Sequence, residues 1–202
     1  MSQYEIRALS GETWGAFADL CERHSGGGFG GCWCTWFHRE THSAPGSSAV
    51  PQSADYSRDF KHDLVETGRA HAALVFDGDT AVGWAQYGSP KELPGISHRK
   101  EVEAAGSSWP DWRVTCIFVD RRYRHRGIAR TALEGALDLI ARAGGGIVES
   151  YPQDTAGKKV SASFLYNATR STFEQAGFAY DRPKGKNHCI MRKAVSARSA
   201  SA

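Results

Sequence analysis

Residues Phe118 to Arg130 read FVDRRYRHRGIAR, and five of the ten residues from Arg121 to Arg130 are arginine. The preceding run, WRVTCIFVD from Trp112 to Asp120, is apolar and rich in β-branched residues, so it is a buried-strand candidate. After the turn, Ala129, Ala132, Leu133, Ala136, Leu137 and Ile140 recur at the 3.6-residue period of a helix packed on one face. The stretch is therefore a strand, a basic turn and a helix starting near Gly127. A helix N-terminus carries unpaired N–H groups and the positive end of the macrodipole, which suits an anion such as phosphate. Gly127 has no Cβ to obstruct a diphosphate, Ala129 keeps the first turn open, and Arg124, Arg126 and Arg130 add positive charge.

The flanking sequence completes the pattern. QYEIRAL, from Gln3, reads as a first strand, and Ser10 can cap a helix whose apolar face is Trp14, Phe17, Ala18 and Cys21. Residues 55–67 suit a helix with Phe60 and Leu64 inward. HAALVFDGDTAVGWAQYG, from His71, is a hairpin turning at DGD. Residues 89–111 hold three prolines and a short helix over 97–105, and form a connector. GIVESYP, from Gly146, is a strand, and SASFLYNATRSTFEQAGF, from Ser161, a helix ended by Gly177. Two short strands follow, at 178–181 and 188–192. The order predicts a mixed α/β sheet, mostly antiparallel and twisted, with one β-α-β crossover carrying the basic turn. One domain spans 1–193, and 194–202 is a disordered tail. Within the domain, 24–70 supplies helices and a mobile loop.

Composition sets bounds. The chain has 202 residues, 41% hydrophobic and 23% charged, with a net charge of +3, as expected of one globular domain. No apolar run approaches a membrane span, and the N-terminus lacks a signal-peptide pattern, so the expected compartment is the cytoplasm. The five cysteines lack a disulfide framework and read as free thiols. No nucleic-acid-binding motif accompanies the arginines, and neither nucleic acid nor membrane is an expected partner.

RHRGIA, from Arg124, matches the Q/R-x-x-G-x-G/A pattern, and the chain resembles the GCN5-related N-acetyltransferase (GNAT) superfamily. The preceding strand, the amphipathic helix, the next strand and the FEQAGF ending agree with it. The resemblance covers about 72–192 well and the first 70 residues by element order. It implies the GNAT acyl-CoA N-acyltransferase fold and acetyl-CoA as cosubstrate. The strand Ile117, Phe118 and Val119 would meet the pantetheine arm, with the backbones of Ile117 and Val119 in contact. Arg124, His125, Arg126, Gly127, Ile128, Ala129 and Arg130 would hold the phosphates, and Asn167 would touch pantetheine. It further implies transfer of an acetyl group to a primary amine by direct attack in a ternary complex. Glu149 would be the base, with Tyr151 on the same strand face. Many relatives place a tyrosine acid four residues before the glycine of the terminal Gly-Phe, where this chain has Phe173. Tyr166 would sit two helical turns back.

GGCWCTWFHRETH, Gly30 to His42, falls on the acceptor side of that fold. Read as a helix from about Cys32, it stacks Cys34, His38 and His42 on one face. Three readings stand: a metal site, a reactive thiol, or a pocket wall. The spacing is not the usual C-x₂₋₄-C of zinc, so no metal is expected. Cys32, Trp33 and Trp36, with Trp84, Tyr87, Trp109 and Trp112, suggest an aromatic acceptor pocket, and the preceding glycines a lid. The acceptor expected is a small amine with an aromatic or apolar body. A protein lysine and a non-catalytic acyl-CoA sensor are the alternatives, and a homodimer is open.

Overall fold

The computed structural model describes residues 4–24, 33–39, 53–97, 109–155 and 165–198. In chain order these form β1 (Glu5–Ala8), α1 (Trp14–Glu22), a 3₁₀ turn (Trp36–His38), α2 (Ala54–Glu66), β2 (His71–Asp77), β3 (Thr80–Gly88) and β4 (Trp112–Val119). A 3₁₀ turn (Arg121–Tyr123), α3 (Ile128–Arg142), β5 (Gly146–Ser150), α4 (Arg170–Gln175), β6 (Ala179–Lys184) and β7 (His188–Val195) come next. Seven strands form one open sheet in the order β1-β2-β3-β4-β5-β7-β6. Every neighbouring pair is antiparallel except β4 and β5, which are parallel and joined through α3. This is the mixed sheet with one crossover that the periodicities predict. Among the described residues no helix is long and apolar enough to cross a membrane.

Strand alternation divides the core. Ala73, Val75, Val82, Ala85 and Val114 face α3, whose Ile128, Ala132, Leu133, Ala136 and Ile140 bury against them. Ala72, Leu74, Phe76 and Trp84 face the other way, onto Phe17, Leu20 and Cys21 of α1, Leu64 of α2, and Trp33, Cys34 and Phe37. Burying such side chains stabilises by about 1.5–3 kcal/mol each. A Cβ at Gly83 would lie 2.7 Å from Ile128 Cγ2, so glycine in β3 is what lets the first turn of α3 close on the sheet.

Two irregularities shape the site. The β3–β4 register slips: Tyr87 pairs with Val114 but Gln86 pairs with Cys116, leaving Thr115 as an extra residue. Such a bulge inverts the facing of the residues beyond it. Val114 packs toward α3 while Cys116 packs toward α1. In addition, β4 and β5 pair only over Trp112–Val114 and Val148–Ser150, so the second half of β4 parts from β5 and a wedge opens.

Several sequence expectations are corrected. The segment after Cys32 is not a helix carrying Cys34 and His38 on one face. Trp33 and Cys34 take φ of 49° and 52°, and a 3₁₀ turn succeeds them. Helix α1 starts at Trp14, not after Ser10, because the Ser10 N–H donates to Thr13 Oγ1 and the Thr13 hydroxyl donates to the Ala8 carbonyl. The long helix expected through Tyr166 is only α4. The carbonyls of Tyr166 and Ala168 accept from the N–H groups of Ile117 and Gln153, so they are unavailable to a helical ladder. Strand β7 runs to Val195, and the Arg198 N–H donates to the Ala141 carbonyl, so the chain is ordered past residue 193. Cys32, His42 and nearly all of the 97–105 helix lie outside the described residues.

Candidate active site

The wedge is one wall of a cavity of about 780 Å³. Its lining comprises Cys116, Ile117, Phe118 and Val119 of β4, the turn and first residues of α3, and Leu165, Tyr166, Ala168, Thr169, Thr172 and Gln175. Cys34 and Trp84 also line it.

The basic turn is held from beneath by Asp120, whose side chain is fully buried and accepts from the Arg122 N–H at 2.9 Å and the Arg122 guanidinium at 2.8 Å. Burial by itself would raise this carboxyl. The Arg122 bonds and nearby His24 outweigh it and hold the group well below the usual carboxylate range. Tyr123 donates to Asp77 at 3.0 Å, pinning the turn to the hairpin. His125 and Gly127 have φ of 62° and 80°, and Gly127 is the N-cap of α3 with no side chain capping the helix. Among the described residues, no atom beyond its chain neighbours lies within 4 Å of a Cβ built at Gly127. Glycine is needed there for its backbone conformation, and the N-terminus of α3 faces open space. Arg124, His125 and Arg130 line the same space. An uncapped helix end beside cationic side chains fits a diphosphate.

Of the residues expected at the cofactor, Ile117, Phe118, Val119, Arg124, His125, Gly127, Ile128, Ala129 and Arg130 line the cavity, while Arg126 and Asn167 do not. Arg126 lies over the Tyr123 ring, 5.2 Å from its centroid, so it braces the turn. Asn167 is 2% exposed, and its Oδ1 accepts from Ser150 Oγ at 3.4 Å while its Nδ2 is buried without a hydrogen-bond partner. Ile117 also differs from expectation. Its N–H already donates to Tyr166 O at 2.7 Å.

The structure places the expected catalytic pair, Glu149 and Tyr151, away from the cavity lining. Glu149 is 1% exposed, with Oε2 bonded by Arg192 at 2.5 and 2.9 Å and Oε1 accepting from the Tyr151 hydroxyl at 2.6 Å. Neither residue lines the cavity. The guanidinium and the phenol together hold the Glu149 side chain in the interior. Burial pushes the Tyr151 phenol far up. Phe173 is fully buried against Phe178. Tyr166 does line the cavity, and burial, then the neighbouring Cys116, raises its phenol. Sequence reasoning expected Tyr166 as a packing or cofactor residue in a helix; it lines the cavity from an irregular segment instead.

The acceptor residues also separate. Trp84 lines the cavity, stacked on Phe118 with centroids 4.4 Å apart. Tyr87, three residues on, belongs to the α3-side core, as does Trp112. Trp33 is buried and stacked on Trp14. Trp36 and Trp109 are exposed outside the cavity. His38 is engaged elsewhere: Nδ1 lies 2.9 Å from the Glu92 carbonyl, and Nε2 lies 3.1 Å from Lys61 Nζ. Lys61 donates to Gln86, and Gln86 to Thr115. Burial and the Lys61 charge lower the His38 pKa to about 3. The imidazole is therefore neutral, donating from Nδ1 and accepting at Nε2. Among the described residues no group of three His, Cys, Asp or Glu side chains is arranged to hold a metal.

Comparison with known proteins agrees with this architecture. No curated protein matches the chain in sequence. Among solved structures, the chain is similar to a GNAT-family protein from Desulfovibrio desulfuricans, with 17% identity, a TM-score of 0.54, and 96% of this chain and 100% of that one covered. It is also similar to a Corynebacterium glutamicum protein described as histone acetyltransferase HPA2 and related acetyltransferase, at 15% identity and a TM-score of 0.55, covering 99% and 100%. A third is the PaiA N-acetyltransferase of Thermoplasma acidophilum in complex with coenzyme A, at 17% identity and a TM-score of 0.51, covering 95% and 99%. These likenesses concern the fold. The model of the acetyltransferase (GNAT) family matches residues 33–156, more than half the chain, and with the splayed β4 and the open N-terminus of α3 it establishes that the chain belongs to that family.

Proposed function

We propose that the protein is an acetyl-CoA-dependent N-acetyltransferase acting on a small amine with an aromatic or apolar body. The observation that carries this reading is the cavity itself. It joins an uncapped, cation-flanked helix N-terminus to a splayed strand edge, and it continues to Trp84, Phe118, Cys34, Cys116 and Tyr166. The first end suits a diphosphate and the second an uncharged acceptor. No carboxylate is among the described lining residues, which disfavours a polycationic amine.

The residues present divide the work. Arg124, His125, Arg130 and the first N–H groups of α3 would hold the phosphates. Acetyl-CoA supplies an acyl group on a thiol whose pKa of about 8.5 makes it a workable leaving group. Tyr166, its phenol raised by burial and then by Cys116, holds a proton at the cavity wall for the departing sulfur. An aromatic amine is neutral near pH 7 and needs no protein base to become nucleophilic, in keeping with Glu149 being engaged elsewhere. The proton its nitrogen sheds after attack returns to the Tyr166 oxygen, directly or through solvent.

That no carboxylate is among the described lining residues also favours a second reading, a non-catalytic acyl-CoA-binding module. Calorimetry with acetyl-CoA, paired with a thiol-release assay over aromatic, aliphatic, polyamine and lysine-peptide acceptors, separates the two. The proposal expects amine-dependent release and an N-acetylated product, highest for aromatic or apolar amines. Binding without release on any acceptor would establish the module, and absence of binding would end both readings.

A further inference from the structure

Two thiols meet in the cavity wall, and the proposed transfer uses neither. Cys34 Sγ lies 2.7 Å from Cys116 Sγ, across 82 residues of chain. This is closer than two sulfurs sit in ordinary van der Waals contact. Both residues line the cavity while being only 3% and 7% exposed. They are shielded from bulk solvent but open to whatever enters the cavity.

Three features of the fold bring the sulfurs together. The Thr115 bulge turns Cys116 toward the α1 side. Trp33 and Cys34 both hold left-handed φ, a costly conformation in non-glycine residues that persists only where the surroundings enforce it. The Trp84 indole N–H donates to Cys34 Sγ at 3.3 Å, which orients that sulfur. The other described cysteines lack this setting. Cys21 is fully buried in the core, and burial pushes the Cys189 thiol up to about 11. Neither lines the cavity.

We propose that Cys34 and Cys116 form a dithiol that a low-molecular-weight disulfide entering the cavity oxidises reversibly to an intramolecular disulfide. One cysteine thiolate attacks a sulfur of the entering disulfide. A protein mixed disulfide forms, the small S–S bond breaks, and one small thiol leaves. The second cysteine thiolate then attacks the protein sulfur of that mixed disulfide, forming the Cys34–Cys116 bond and expelling the second small thiol. The two protons lost by the cysteines end on the two released thiols. The new bond ties the segment holding Trp33 and Cys34 to β4, across the acceptor end of the cavity.

The test is a peptide map of the native full-length chain after exposure to glutathione disulfide. Free thiols are alkylated before non-reducing digestion. The expected result is a Cys34–Cys116 cross-linked peptide, loss of two of the chain's five thiols, a mass decrease of about 2 Da, and full reversal by dithiothreitol. Cys32→Ser should retain the cross-link, whereas Cys34→Ser and Cys116→Ser should each abolish it. Because either serine variant can also fail to fold, the wild-type map decides the matter alone. Alkylation of both cysteines after treatment, glutathione adducts that never resolve, or Cys32 in place of Cys34 in the bridge would each overturn the proposal.

Discussion

The backbone N–H of Ile117 donates to the carbonyl of Tyr166 across 2.7 Å, on the edge of β4 that faces away from β3. A pantetheine arm lying along β4 competes with Tyr166 for this donor. Saturating acetyl-CoA is therefore expected to speed amide exchange over 165–169 while slowing it over 124–131, read by hydrogen–deuterium exchange. Slower exchange in both segments would place the arm elsewhere than on Ile117.

Gly127 sits at φ 80° with open space where a side chain would point. Gly127→Ala is expected to cost about 1–2 kcal/mol from the left-handed conformation, lowering Tm by roughly 2–8 °C. Gly127→Glu adds a negative charge where phosphates would bind. It should weaken acetyl-CoA binding by about 100-fold or more, from a few kcal/mol of short-range repulsion. Calorimetry of the two variants side by side separates the backbone effect from the charge effect.

Tyr166 lines the cavity with a protonated phenol, raised further from its ordinary value by burial and then by Cys116. Tyr166→Phe preserves the ring and the backbone carbonyl but removes the proton. The expected outcome in steady-state kinetics is a fall in kcat of about 10²-fold with little change in the acetyl-CoA KM. An unchanged kcat would mean that water protonates the leaving thiol.

Glu149 is clasped by Arg192 and Tyr151. Glu149→Gln removes the nearer of two carboxylates beside the Arg192 guanidinium, the other being Asp181 at 3.8 Å. It is expected to destabilise the fold by about 3 kcal/mol or less, at or below the low end for a broken buried pair, because Arg192 keeps Asp181 and some solvent contact. Thermal denaturation should show the loss, while kcat/KM of the folded fraction stays within a few-fold of the parent. A fall of about 10²-fold or more that shrinks as pH rises would restore Glu149 as a base.

His38 is neutral in the fold, with a pKa lowered to about 3 by burial and by Lys61, against about 6.5 in the unfolded chain. Between these values the unfolded state binds the extra proton. Its contribution is fully present above about pH 6.5 and is lost as pH falls toward 3, at up to about 1.4 kcal/mol per pH unit. Tm measured from pH 7 to pH 4 should fall more steeply for the parent than for His38→Asn.

FVDRRYRHRGIAR carried most of the fold by itself. An apolar strand, a glycine N-cap and a 3.6-period stripe are local patterns, and local patterns determined β4, α3 and the basic end of the cavity. The hairpin at DGD was legible for the same reason. The far end of the cavity was not. Whether Trp84 and Tyr87 share a face depends on three-residue spacing in a strand, and alternation sends them to opposite sides. Cys116 reaches Cys34 only because of the Thr115 bulge, and a bulge is a property of the β3–β4 pairing rather than of either strand. Glu149 had a catalytic-looking position in β5 until β7 placed Arg192 beside it. Tyr166 entered the cavity because its carbonyl bonds β4 instead of a helical neighbour. Each of these outcomes rests on contacts between residues distant in the chain, whose register and partners local sequence does not encode.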